Sequence, residues 1–77
     1  MHTGTLFFDK SDNRYAIRYK DKYGIQSYSF HCGDCLDVKL NDVWVPTRIE
    51  MGYTDEHDDW YLVGIPGMPK IGTPIRT

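Results

Sequence analysis

No stretch of this sequence approaches the roughly 20 consecutive apolar residues that a membrane-spanning helix needs. No segment sustains a 3.6-residue apolar period with a cap, so helices are not expected. Cysteine is scarce: two residues are too few for the disulfide framework of a small secreted domain. The start, MHTGTLFFDK, lacks the basic and long apolar regions of a secretory signal. These absences point to a soluble cytoplasmic protein with reduced thiols and no membrane partner. No serine sits in a nucleophile elbow and no Gly-rich phosphate loop is present. A chain of 77 residues also leaves little room for a pocket of ~300 Å³ or more. The expectation is a non-enzymatic protein without a cofactor.

What is present is aromatic and β-prone. Eleven of the 77 residues are aromatic, enough large rings for one small core. Thr5–Phe8 is a short β-prone run, and Ser11-Asp12-Asn13 reads as a turn. Tyr15, Ile17 and Tyr19 alternate with Ala16, Arg18 and Lys20 at a period of two. Asp21 to Gly24 makes the next turn, and Ile25–Phe30 the next strand. Leu36, Val38 and Leu40 face one way, and Asn41-Asp42 is a hairpin turn. Val43, Val45, Thr47, Ile49 and Met51 share a face; Trp44, Pro46, Arg48 and Glu50 point the other way. Pro46 lacks an N–H and belongs at an edge or bulge. Residues 52–59 form a polar loop. Trp60–Val63, apolar on both faces, reads as a central strand, and a short closing strand is expected near Ile71–Arg76.

Net charge is −2, unevenly spread. Residues 1–29 carry five Lys/Arg against three Asp, and residues 30–77 four against eight Asp/Glu. The basic part is a stripe of one parity, Arg14, Arg18, Lys20 and Lys22, with Tyr23 and Tyr28 near enough to stack on bases. Small barrels bind nucleic acid with that mix, so a nucleic-acid-binding accessory role is an alternative. An ordinary solvated strand face has the same look, and the negative total charge favours it.

His31-Cys32-Gly33-Asp34-Cys35 is the one cluster with chemistry in it. A structural zinc site wants four ligands, usually from two Cys-x-x-Cys-like pairs. Here there is one pair, with His31 beside it. A redox pair wants a thiol at a helix N-terminus, whereas the residues after Cys35 alternate like a strand. Gly33-Asp34 therefore reads as a turn, with the cysteines packing as small hydrophobes and metal or redox chemistry as the alternative. The acidic run Asp55–Asp59 lacks the spacing of a calcium loop and reads as a solvated hairpin loop. Trp44 keeps polar company on its face, and Trp and Arg are enriched at binding hot spots, which nominates Trp44 and Arg48.

Residues 28–48, YSFHCGDCLDVKLNDVWVPTR, resemble the central signature of an SH3-type barrel. That signature is an apolar-Ser-Phe strand, a Gly-Asp diverging turn, alternating apolar residues, a short loop and a strand opening with Trp. Thr5–Asp9 resembles the family's first strand, residues 10–27 its long loop, and Gly64-Ile65-Pro66 its element before the last strand. The resemblance implies a small single-domain SH3-like β-barrel over residues 1–77, all-β, with five to seven short, mostly antiparallel strands. It also implies an aromatic groove, with Trp44 and Pro66 at two of its positions and Phe8 near a third. The family's Ser-Asn-Tyr after that proline is replaced by Gly67-Met68-Pro69, so the groove tyrosine is missing. Over nearly the whole chain, HCGDC, WVPTRIE and WYLVG also resemble a family of short Firmicute proteins known only as a domain of unknown function. The expected role is a protein-binding module with Trp44, Arg48 and Pro66 at its surface and Phe8 and Tyr23 beside them. Its partner is an unidentified protein, and a weak homodimer through an exposed edge strand is a further option.

Overall fold

Short alternating runs separated by turn residues give seven strands in the computed structural model, which describes residues 2–52 and 59–77. They are β1 (Thr3–Asp9), β2 (Arg14–Asp21), β3 (Gly24–Ser29), β4 (Cys35–Leu40), β5 (Val43–Met51), β6 (Trp60–Leu62) and β7 (Pro74–Arg76). All pairings are antiparallel, in one sheet of order β3-β2-β1-β7-β4-β5-β6. No helix occurs among the described residues, and so none is long and apolar enough to cross a membrane. The acidic run expected to be a solvated loop lies, apart from Asp59, outside the described residues.

Turn chemistry sets the connections. Asp9 Oδ1 accepts the Ser11 N–H at 3.0 Å and its hydroxyl at 2.6 Å, and Asn13 takes φ 55°. Asp21 Oδ1 accepts the Tyr23 N–H at 2.8 Å, closing the β2–β3 hairpin. Asn41 and Asp42 both have positive φ, 50° and 64°, as the two central residues of a type I′ hairpin require. The segment at residues 10–27, a loop by resemblance, is thus mostly a paired hairpin, as its own alternation indicates.

The sheet curls. From Ser29 to Cys35 the chain takes six Cα steps, three of them inside a turn, and so reaches at most about 18 Å. In a flat sheet β3 and β4 would stand four strand spacings apart, about 19 Å. Curling relieves this and brings Leu6, Ile17, Phe30, Val38, Ile49 and Ile75 into one buried cluster. It also brings the start of β2 to β6: the Arg14 guanidinium lies 5.6 Å from the Trp60 ring centre. The curl is compatible with a barrel, although no backbone ladder joins β3 to β6 among the described residues.

Two strand expectations meet the structure differently. Pro46 lies in β5 opposite Asp37 of β4. The Ile49 N–H points toward the β4 side, to Asp34 O at 3.0 Å, and Arg48 O points toward β6, accepting the Val63 N–H at 3.0 Å. By alternation the nitrogen of Pro46 faces the β6 side, past the pairing of β6 with Ile49–Met51. It therefore sits at a local edge, as a missing donor demands. Trp60–Leu62 is not central: β6 ends the sheet. Its apolar character comes from Trp60 and Leu62 filling the core, which the curl buries without a strand on both sides.

Tyr15 carries a pH consequence. Burial, reinforced by the Asp59 carboxylate, holds its phenol above the ordinary value of 10.0. The folded state therefore favours the protonated form. Stability from this group is complete below about pH 10 and is lost as pH rises through the elevated folded value. Thermal unfolding between about pH 9 and pH 11.5 should show a steeper alkaline loss for the wild type than for Tyr15→Phe. Parallel curves for the two proteins would contradict this assignment.

Candidate functional site

The His31–Asp34 segment is a turn, as its glycine suggests. The Asp34 N–H donates to His31 O at 3.0 Å, and Gly33 takes φ 91° at the third position, the type II arrangement. The Asp34 carboxylate locks the turn by accepting the His31 N–H at 2.9 Å, and it accepts the Tyr28 hydroxyl at 3.4 Å. The cysteines depart from expectation: both are exposed free thiols rather than packed hydrophobes. The turn faces solvent and leaves the core position to Phe30. Cys32 Sγ accepts the Met51 N–H at 3.3 Å and lines a cleft with Arg14 and Trp60. Cys35 lines a different cavity, with Tyr28. Among the described residues no three of His, Cys, Asp and Glu gather as metal ligands.

The nominated binding residues fall in separate places. Trp44 and Arg48 are on the outer face of β5, as their parity predicts. The Trp44 ring is already covered: the Arg76 guanidinium lies 4.4 Å from its centre and Lys39 Nζ 5.7 Å. Arg76 is held there by Asp37 Oδ2, which accepts its Nε–H at 2.9 Å. Arg48 pairs with Glu50 at 3.8 Å. Pro66 lines an apolar cleft of about 250 Å³ with Leu40, Ile65 and Met68, which Trp44 does not reach. Phe8 is turned to the core, its ring 5.0 Å from that of Tyr15. Tyr23 stands at the β2–β3 hairpin tip, 77% exposed, with Lys22 Nζ 5.1 Å from its ring. Of the basic stripe, Arg14 is committed to Phe30 O at 3.2 Å and to Trp60. Arg18 lies over Phe7 at 4.4 Å, leaving Arg18, Lys20 and Lys22 on the hairpin's outer face and tip.

The residues brought together form a groove of about 380 Å³ between the β2–β3 hairpin and the 31–34 turn. It is lined by Tyr19, Tyr28, the buried Phe30, Asp34 and Cys35, with the Tyr28 hydroxyl reaching the Asp34 carboxylate. His2 stacks on Tyr19, with ring centres 4.0 Å apart and planes within 17°. Tyr28 meets Phe30 edge to face at 6.0 Å. The space arises because the hairpin runs past the end of the core, so its inward-facing tyrosines overhang. Its volume exceeds what so short a chain suggests, because it is open to the surface rather than enclosed in the core. Parity places Tyr19 and Tyr28 on the core face; their excess beyond the core was the available signal. The contributions of His2 and Asp34 depend on tertiary proximity and carry no local signal.

A crystal structure of a protein from Ruminococcus gnavus is similar, with 47% sequence identity, a TM-score of 0.78, and coverage of 97% of this chain and 99% of that one. No curated protein matches. The family model for a domain of unknown function, DUF5348, matches residues 4–77, in line with the resemblance to short Firmicute proteins. The all-β chain therefore belongs to the DUF5348 family.

Proposed function

We propose that the protein is a non-enzymatic binding module that takes an extended segment of a protein partner in the groove between the β2–β3 hairpin and the 31–34 turn. The observation that carries this reading is the convergence of Tyr19, Tyr28, His2 and Asp34 on one open cavity. Tyrosines supply large contact area at low entropic cost and dominate recognition surfaces. The neighbouring strand β3 ends the sheet, and so offers backbone groups to an added strand. It carries no charged residue to repel one. Two free exposed thiols suit a reducing compartment, and we place the protein in the cytoplasm.

The basic residues Arg18, Lys20 and Lys22 support nucleic-acid binding as the second reading. Photo-crosslinking in the native host separates the two. A photoreactive phenylalanine at position 28 should capture a discrete polypeptide, and the same group at the exposed Val43, opposite Leu40 at the start of β5 and outside the groove, should not. Capture of nucleic acid alone, with complexes that dissociate steeply as salt rises, would transfer the function to the basic face.

A further inference from the structure

Building on the groove as the binding site, we infer that it selects a cationic side chain, foremost arginine, of the bound segment. The groove combines the π faces of Tyr19 and Tyr28 with the carboxylate of Asp34. A cation between rings and a carboxylate gains both cation–π attraction and charge-assisted hydrogen bonds. Tyr19 already stacks against a flat ring, the His2 imidazole, and a guanidinium is likewise planar and stacks on aromatic rings.

The rest of the molecule supplies the contrast. Phe7 is covered by Arg18, Tyr23 by Lys22, Trp44 by Arg76 and Lys39, and Trp60 by Arg14. Among the described residues no Lys or Arg lies over Tyr19 or Tyr28, and none pairs with Asp34. The ion-pair partner of Asp34 is His31, at 3.9 Å, which is charged only when protonated. The groove thus brings rings and a carboxylate together without a permanent cation from the described residues. A partner's arginine completes it.

Selection from a random-peptide library on the intact chain, with binding sites of the selected peptides mapped by amide chemical shifts, tests this. Peptides that shift the groove residues and share an Arg or Lys are expected, weakened on the order of tenfold by Asp34→Asn. Asparagine keeps the acceptor for the His31 N–H, so the turn survives. Tyr28→Leu, which removes a π face and leaves that turn acceptor in place, should weaken them similarly. Replacing the shared arginine by citrulline, its neutral isostere, should do the same. Peptides that occupy the groove without a basic residue, or that ignore Asp34→Asn and citrulline, overturn the cation inference and leave the binding reading standing. Peptides whose shifts all fall outside the groove overturn both.

Discussion

Phe30→Ala is expected to remove about 3–5 kcal/mol of folding stability, the cost of deleting a fully packed ring and leaving a cavity. A chain of 77 residues has about 4–12 kcal/mol in total, so the variant stands near the point of unfolding at room temperature. The site gives little scope for collapse. Phe30 is 1% exposed and sits in the one core cluster. Its backbone is pinned on both sides, the N–H to Tyr15 O at 2.8 Å and the C=O by the Arg14 guanidinium at 3.2 Å. It is also where the chain leaves the sheet edge at β3 and crosses toward β4, so its ring anchors the crossing that makes the sheet curl. Urea unfolding followed by circular dichroism measures the effect; the midpoint should fall sharply with little change in slope. Phe30→Leu keeps most of the apolar volume and should lose only about 1–1.5 kcal/mol, giving a folded reference if alanine is not tolerated. A loss below about 1 kcal/mol for alanine would show that the ring does not anchor the core.

Much of this architecture is legible in the chain because a strand's two faces are written in alternate residues. The inward set Val43, Val45, Thr47, Ile49 and Met51 and the outward set Trp44, Pro46, Arg48 and Glu50 follow directly from period two, and register confirms them. Where aromatics sit side by side, the pattern is silent. Phe7 and Phe8 read alike in sequence, yet Phe7 lies outside under Arg18 and Phe8 inside against Tyr15. Trp60-Tyr61-Leu62 misleads for a related reason: apolar side chains report burial, whereas a central place requires ladders on both sides. Here curvature buries an edge. Of the candidate surface, Trp44 and Arg48 share the outer face of β5, whereas Pro66 lines a separate apolar cleft. Trp44 in addition met Arg76, a residue 32 positions on, brought beside it by the closing strand. The groove is the converse case, since His2, Tyr28 and Asp34 meet only because the first strand, the hairpin and the turn converge.

Gly4→Ala is expected to destabilise by about 3 kcal/mol, against the direction that local preference predicts. On intrinsic grounds alanine within a strand should gain about 0.5–1 kcal/mol over glycine, because glycine loses more backbone freedom on folding. At this position the fold leaves no room. A Cβ on Gly4 would stand 2.0 Å from the carbonyl oxygen of Arg18 and 2.8 Å from its carbonyl carbon. Both are backbone atoms, so no side-chain rotation relieves the contact. Gly4 lies in β1 between two neighbours, opposite Tyr19 of β2 and Ile75 of β7. Moving β1 away from β2 would press it toward β7, whose Ile75 is fully buried in the core. The strain therefore passes to the ladder that joins the hairpin half of the sheet to the β7-β4-β5-β6 half. Amide hydrogen exchange should show it first as lost protection in β1 and β2, with β4 and β5 less affected. The companion substitution is Thr5→Ala, one residue along on the exposed outer face, which should cost less than about 0.5 kcal/mol. A Gly4→Ala protein as stable as the wild type would mean that β1 and β2 do not approach as closely as this curled sheet requires.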